Sequence, residues 1–405
     1  MRKLRINSRL ALTNGKRILV KKLLGSGGQG QVFLAESDGK DVALKWYRKR
    51  PSDKFLENIQ KNIQDGSPSP QFLWPEGLTR IAFGSCGYIM PLRPEGYHEF
   101  SDFLMAKVRF SSWDAVINAA ENVCQAFKAL HAQGLSYQDL NDGNFFIHPD
   151  TGNVRIADND NVYPHGEESG ILGKARYMAP EVVMGRKLPD TYSDRFSLAV
   201  ILYMFFCCDH PFEGRNVLRY PCLTESIERR LFGEEILFVW NQDASNRPVQ
   251  GVHNNSITFW NLLPKVLKDT FSTEFSKAKL FQPNSRITEL QWLDVLSQVR
   301  SNLVDGEFAD NVSDTPRLII SDTHSVLLRA GCFFSFDKTE NPSGRVVMHP
   351  ETHDLYIQNI SMVEWQITTP SGKFIRIAPK GILPVKKGLR INNYLIALGK
   401  VQEFK

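Results

Sequence analysis

The chain has 405 residues, 42% hydrophobic and 23% charged, an ordinary globular composition with length for two or three structural units. Its formal net charge of +5 is a mild excess, far from the clustered basic surface that nucleic-acid binding needs. Six cysteines without CxxC spacing argue against a zinc site and for a reducing compartment.

Residues 19–47 alternate and carry hairpin punctuation: a Gly-rich turn, a strand, Asp38-Gly39 and a second strand, which predicts an antiparallel sheet. LGSGGQGQVF sets Gly25, Gly27 and Gly30 in G-x-G-x-x-G order, a pattern shared with dinucleotide-binding turns. A dinucleotide turn runs into a helix, whereas residues 31–36 alternate and meet another turn and strand. The glycines therefore belong to a hairpin whose backbone N–H groups can lie over phosphates, and the missing GK[ST] excludes a Walker loop. VALK, Val42 to Lys45, adds an ammonium on the second strand, pointing to the same cleft.

With GSGGQGQV and VALK together, the chain resembles eukaryotic-type Ser/Thr protein kinases over about residues 19–300. The resemblance implies an α+β, bilobal protein-kinase-like fold, with a β-rich N-lobe over 1–90 and a helical C-lobe over 91–302. It implies ATP and Mg²⁺ as cofactors, with Val32 and Ala43 above adenine, Phe146 beneath it, and Lys45 on the α/β-phosphates. Glu57, twelve residues after Lys45, is the nearest candidate for that lysine's acidic partner on the following helix. GYIMPL, Gly87 to Leu92, resembles the fifth strand and hinge, with Met90 as gatekeeper. Pro91 has no N–H, so adenine would use the Pro91 carbonyl and the Arg93 N–H.

From Trp113 to Ala132, Val116, Ala119, Ala120, Val123, Ala126, Phe127 and Leu130 recur at helical spacing. YQDLNDGN, Tyr137 to Asn144, then falls where the family carries its catalytic loop. Asp139 can accept a hydroxyl proton, and Asn144 can hold the second Mg²⁺ at the family's spacing. Tyr137 replaces the family's His, and Gln138 replaces the Arg that usually pairs with a phosphorylated activation loop. Asn141 replaces the Lys that neutralises the transferring phosphoryl group. IADND aligns Asp158 with the family's magnesium-binding Asp, with Asn159 in place of Phe and Asp160 in place of Gly. The activation segment, 158–181, contains no Thr and offers Tyr163, Ser169 and Tyr177, so a constitutively ordered loop is expected. Lys174, standing where the family has its activation-segment Thr, is expected to restore the charge lost at Asn141.

ARYMAPE matches the end of the family's activation segment, with Arg286 expected to pair with Glu181 and Asp194 to open a central helix. The run FSLAVILYMFFCC from Phe196 is about two thirds of a membrane-spanning length and reads as a buried helix of a cytoplasmic protein. His210, in HPFEG, has no metal-ligand companions at workable spacing and reads as structural. Residues 303–316, acidic and rich in turn formers, read as a linker. Residues 317–405 revert to short strands with turn signals, which predicts a small β-sandwich.

The D-L-N-x-x-N and D-x-D variants resemble a narrower bacterial set. These are kinases encoded with von Willebrand A-type proteins and PP2C-like phosphatases in tellurium-resistance-type stress systems. That resemblance implies those two proteins as partners beside a protein substrate. The tail resembles a degenerate forkhead-associated (FHA-like) domain without the phosphothreonine-reading Arg, Ser and His, so a docking or regulatory role is expected. Two readings stand: an active Ser/Thr kinase, and a pseudokinase scaffold that binds nucleotide and recruits partners through the β domain. Asn141, Asn159 and the short interval to Glu57 motivate the second. A small-molecule kinase is disfavoured by ARYMAPE and Arg286.

Overall fold

Alternation in the first ninety residues resolves into one antiparallel sheet in the computed structural model. The structure describes residues 4–167, 173–308, 317–328, 330–335, 342–351, 354–369, 371–385, 389–391 and 394–396. The sheet comprises β1 (Arg9–Ala11), β2 (Arg17–Ser26), β3 (Gly30–Ser37), β4 (Lys40–Tyr47), β5 (Gly77–Leu78) and β6 (Gly87–Met90), in the order β1-β2-β3-β4-β6-β5. Because side chains alternate across a strand, its two faces have separate fates. Leu10, Leu12, Ile18, Val20, Phe33, Leu44 and Trp46 bury one face. Ala43, Tyr47, Tyr88 and Met90 line the other and pack on Phe55 and Ile59 of helix α1 (Asp53–Asp65). Ser52 caps α1 by accepting from the Phe55 N–H at 3.3 Å, and Gly66, at φ 79°, ends it.

The helical lobe is assembled around Thr191–Cys207, whose residues from Phe196 to Cys207 are all buried. A helix apolar all round must be covered all round. The helix Trp113–Ala132 does so on one side, Asn254–Leu262 and Lys265–Glu274 on another, and Phe127, Phe205, Phe206 and Trp292 sit in the shared core. Each such ring contributes about 3 to 5 kcal/mol against truncation to alanine. Among the described residues no helix is long and apolar enough to cross a membrane.

The linker expected over 303–316 begins instead as a strand. Leu303–Phe308 pairs antiparallel with Arg317–Leu327, and Leu303 and Leu327 are buried in the helical lobe's own core. Asp305 and Glu307, two of the acidic residues that suggested a linker, sit in a strand whose register shifts between Asp305 and Gly306, a local break in alternation that hides the period. Residues 309–316 lie outside the described residues.

The β unit holds two sheets. Six strands follow the order Leu303–Phe308, Arg317–Leu327, Phe333–Ser335, Gly344–Met348, Leu355–Asn359, Ile382–Pro384; four follow Phe374–Ile377, Trp365–Thr368, Leu389–Ile391, Tyr394–Ile396. Val346, Ile357 and Leu383 of the first meet Trp365 and Ile367 of the second in one apolar core. Asn359 is fully buried and satisfied, donating to the Val363 and Ile377 carbonyls and accepting from Ser361, which makes Asn-x-Ser a scaffold turn.

Candidate active site

The loop Tyr137–Asn144 is fixed from below by Asp194 at the start of the central helix. Its carboxylate accepts from the backbone N–H of Tyr137 at 2.6 Å and of Gln138 at 3.3 Å. Asp194 is itself held by His131, whose Nε2 lies 3.0 Å from Asp194 and whose Nδ1 lies 2.9 Å from Glu289. Burial opposes a charge on this imidazole, yet hydrogen bonds to both carboxylates raise its pKa to about 9, so it is held as the imidazolium at neutral pH. Sequence reasoning missed His131 and Glu289; the ring closes over 63 and 158 residues, and no local pattern marks it.

Within the loop, each replaced residue makes a specific bond. The Tyr137 hydroxyl donates to the Ala157 carbonyl, tying the loop to the segment that carries Asp158. Gln138 adopts a left-handed φ of 67° and donates from Nε2 to the Glu167 carbonyl at 2.5 Å. A neutral side chain thus reaches the activation segment where an arginine would need a phosphate. Asn141 donates from Nδ2 to Asp139 Oδ1 and to the Asp139 carbonyl, both at 3.1 Å. Asn144 accepts from the Asn141 N–H at 2.9 Å and is buried. Burial raises the Asp139 pKa to about 6; the Asn141 bond pulls it down, Asp158 pushes it up, and Lys174 and Lys45 pull it down. Lys174 stands beside the loop, but its ion pair is with Asp142, at 3.3 Å, and 57% of its side chain is exposed.

Across the cleft, Lys45 places Nζ 3.1 Å from Asp158 Oδ1 and 2.8 Å from Asp160 Oδ1. Asp158 takes a left-handed φ of 55°, a conformation that costs an aspartate about 1 kcal/mol. Glu57, expected as the lysine's partner, is not in this cluster. The inner face of α1 carries Phe55, Ile59 and Asn62 at helical spacing, which turns Glu57 to solvent. The same helix instead uses Asn58 and Asn62, whose amides donate to the Val162 carbonyl at 2.8 and 3.1 Å. Asn159 is fully buried, donating to the Leu73 and Ile156 carbonyls at 2.8 and 3.0 Å, while its Oδ1 has no partner. It fastens this segment by hydrogen bonds where the family uses an apolar ring.

Above the cleft, β3 and β4 put Val32 opposite Lys45, and Ala43 lies opposite Met90 of β6. A Cβ on Gly30 would fall 2.4 Å from the Trp46 carbonyl oxygen, so only glycine fits there, whereas Gly25 and Gly27 face open space. Arg48 closes over the turn, donating to Ser26 Oγ at 2.7 Å and to the Gly27 carbonyl at 3.0 Å. Pro91 follows β6, and Arg93 beyond it lays its guanidinium 5.0 Å from the centre of the Phe146 ring. The donor set is carboxylate and amide oxygen, Asp158 with 43% of its side chain exposed and Asn144 below it. That chemistry suits a hard cation completed by phosphate oxygens. No cluster of three or more His, Cys, Asp or Glu fit to hold a metal occurs among the described residues.

Residues 89–281 match the protein kinase domain. The mouse "Protein kinase C delta type" is 30% identical over 204 residues, 48% of this chain and 30% of that protein. The "Probable serine/threonine-protein kinase PknB" of Corynebacterium glutamicum is 27% identical over 209 residues, 48% and 32%. The "Serine/threonine-protein kinase PknA" of Mycobacterium tuberculosis is 26% identical over 227 residues, 53% and 52%. The chain thus spans about a third to a half of the length of these relatives. The domain match begins at Ile89, so the Gly-rich turn and Lys45 are set in the cleft by the fold and lie outside that stretch. The chain has a kinase-like bilobal fold, a β-rich N-lobe and a helical C-lobe, followed by a small β unit, and its residues 89–281 are similar to the protein kinase domain.

Proposed function

We propose that the chain is a Ser/Thr protein kinase, moving the γ-phosphoryl group of ATP to hydroxyls of a protein substrate. The observation that carries this is Asp139, held on a braced loop in the same cleft as Lys45 and Asp158, with its proton affinity raised toward neutrality. ATP bound with Mg²⁺ supplies the activated phosphoryl group and the charge neutralisation its transfer needs. Gly25, Gly27 and Gly30 hold the phosphates by backbone N–H groups, with Lys45 on the α/β-phosphates. Val32, Ala43 and Phe146 sandwich the adenine, while Pro91 and Arg93 offer the hinge carbonyl and N–H. Asp158 and Asn144 hold the metal. Asp139 takes the proton from the acceptor hydroxyl. Lys174, paired with Asp142 one loop position from Asn141, supplies the charge lost there by releasing that exposed pair.

The Gln138 bond to the Glu167 carbonyl supports a first part of the activation segment that is held without phosphorylation, while residues 168–172, Ser169 among them, lie outside the described residues. The β unit is a docking or regulatory module of degenerate forkhead-associated type. A von Willebrand A-type protein and a PP2C-like phosphatase in a bacterial stress system are the partners the loop variants suggest. A pseudokinase scaffold is the second reading, favoured by the neutral Asn141 facing Asp139. Incubation of the full chain with labelled ATP, Mg²⁺ and a generic protein acceptor separates them. Label on Ser or Thr that disappears with Asp139→Asn supports the kinase; tight nucleotide binding with no transfer by the wild type supports the scaffold.

A further inference from the structure

A buried ammonium is costly unless a carboxylate shares its surroundings, and Lys45 is only 6% exposed. Asp160 is that carboxylate. Its side chain is wholly buried; Oδ1 accepts from Lys45 at 2.8 Å and from the Tyr88 hydroxyl at 3.1 Å, and Oδ2 accepts from the Tyr47 hydroxyl at 2.6 Å. Both phenols rise from the sheet that carries the lysine. Tyr47 is two residues along β4, on the same face, and Tyr88 lies opposite Lys45 on β6. Burial, reinforced by the Asp160 charge, pushes both phenols well above their ordinary pKa, which keeps them donors.

We infer that Asp160 is the positioning residue for Lys45, a carboxylate clamped by two tyrosines that fixes the phosphate-binding ammonium in place of an acid on α1. The inference rests on the ATP-binding reading above. Asp160 acts through the lysine and touches no substrate. It belongs to the turn Asn159–Asn161 that directly follows Asp158, so one turn sets both the metal ligand and the lysine's anchor. Helix α1 contributes amide bonds to Val162 and no charge to the cluster.

Calorimetric titration of the full chain with Mg²⁺-ATP tests this on the wild type, Asp160→Asn, Lys45→Met and the double variant. Each single variant should weaken binding about tenfold or more, and the double variant should bind no more weakly than Lys45→Met. Losses that multiply in the double variant, or wild-type binding by Asp160→Asn, overturn the inference. Glu57→Gln should bind as the wild type, and a tenfold loss there overturns it too. If Asp160→Asn does not fold, Tyr47→Phe carries the same cycle. A loss that vanishes in the Lys45→Met background supports the clamp, and an equal loss in both backgrounds, or none in either, overturns it. A wild type that binds no ATP overturns the kinase reading and this inference together. A wild type that binds and transfers beside an unaffected Asp160→Asn overturns this inference alone.

Discussion

Asp139 accepts a proton only when ionised, and its pKa of about 6 places that requirement inside the accessible pH range. The rate constant kcat/KM for a protein acceptor should therefore fall about tenfold per unit below pH 6 and be flat above it on the acid side. Asn141→Ala removes a hydrogen bond that favours the carboxylate, so the acid limb should move to higher pH, which a pH–rate profile reads directly. Lys174→Ala should lower kcat by about tenfold or more while leaving ATP affinity within about twofold; a variant with wild-type kcat would sink the charge-replacement idea. At this scale the sequence was legible where function is local. Asp139, Asn144 and Asp158 stand close together in sequence, Lys45 follows soon after the Gly-rich turn, and the fold sets Lys45 beside Asp158. Asp160 looked like the loss of a glycine, because the lysine that gives it meaning is 115 residues away.

Elements tell a similar story through their faces. The hairpin of β2 and β3 is predictable from alternation and its turn, and Gly30 is the glycine whose replacement the backbone itself forbids. Gly30→Ala should destabilise the N-lobe by about 1 to 3 kcal/mol, seen as a lower melting temperature. Gly27→Ala should change stability by less than about 0.5 kcal/mol, since a Cβ there meets nothing, and should show its effect in the KM for ATP instead. The central helix was legible because apolar residues on every side leave only burial. Helix α1 was expected from the resemblance alone, and the spacing of Phe55, Ile59 and Asn62 that turns Glu57 outward and sets Asn58 against the Val162 carbonyl went unread. The strand Leu303–Phe308 was lost for the complementary reason, since its partner strand supplies the order that its own composition does not.

For the molecule as a whole, the buried His131 between Asp194 and Glu289 ties stability to pH. Its folded pKa, about 9, exceeds the ordinary 6.5, so its contribution is complete below pH 6.5 and is lost as pH rises through 9. Denaturant unfolding should show stability falling by up to about 3 kcal/mol between pH 6 and pH 9, and His131→Gln should flatten that slope. Glu289 has the opposite sign: burial works against its charge, but bonds from His131 and Arg195 hold its pKa at about 2. Its contribution is present above pH 4.5 and disappears as pH falls through 2. The bilobal plan was readable from motif order, while the brace beneath the catalytic loop was not, because its members come from three separate helices.

Helix Glu289–Ser301 begins at that brace and runs through Asn302 directly into the first strand of the β unit. Thirteen helical residues make a stiff rod about 20 Å long, with no hinge of glycine or proline inside it. One end holds the imidazolium under the catalytic loop, and the other continues into the strand Leu303–Phe308. A stiff helix rather than slack chain therefore stands between that strand and the brace under the catalytic loop.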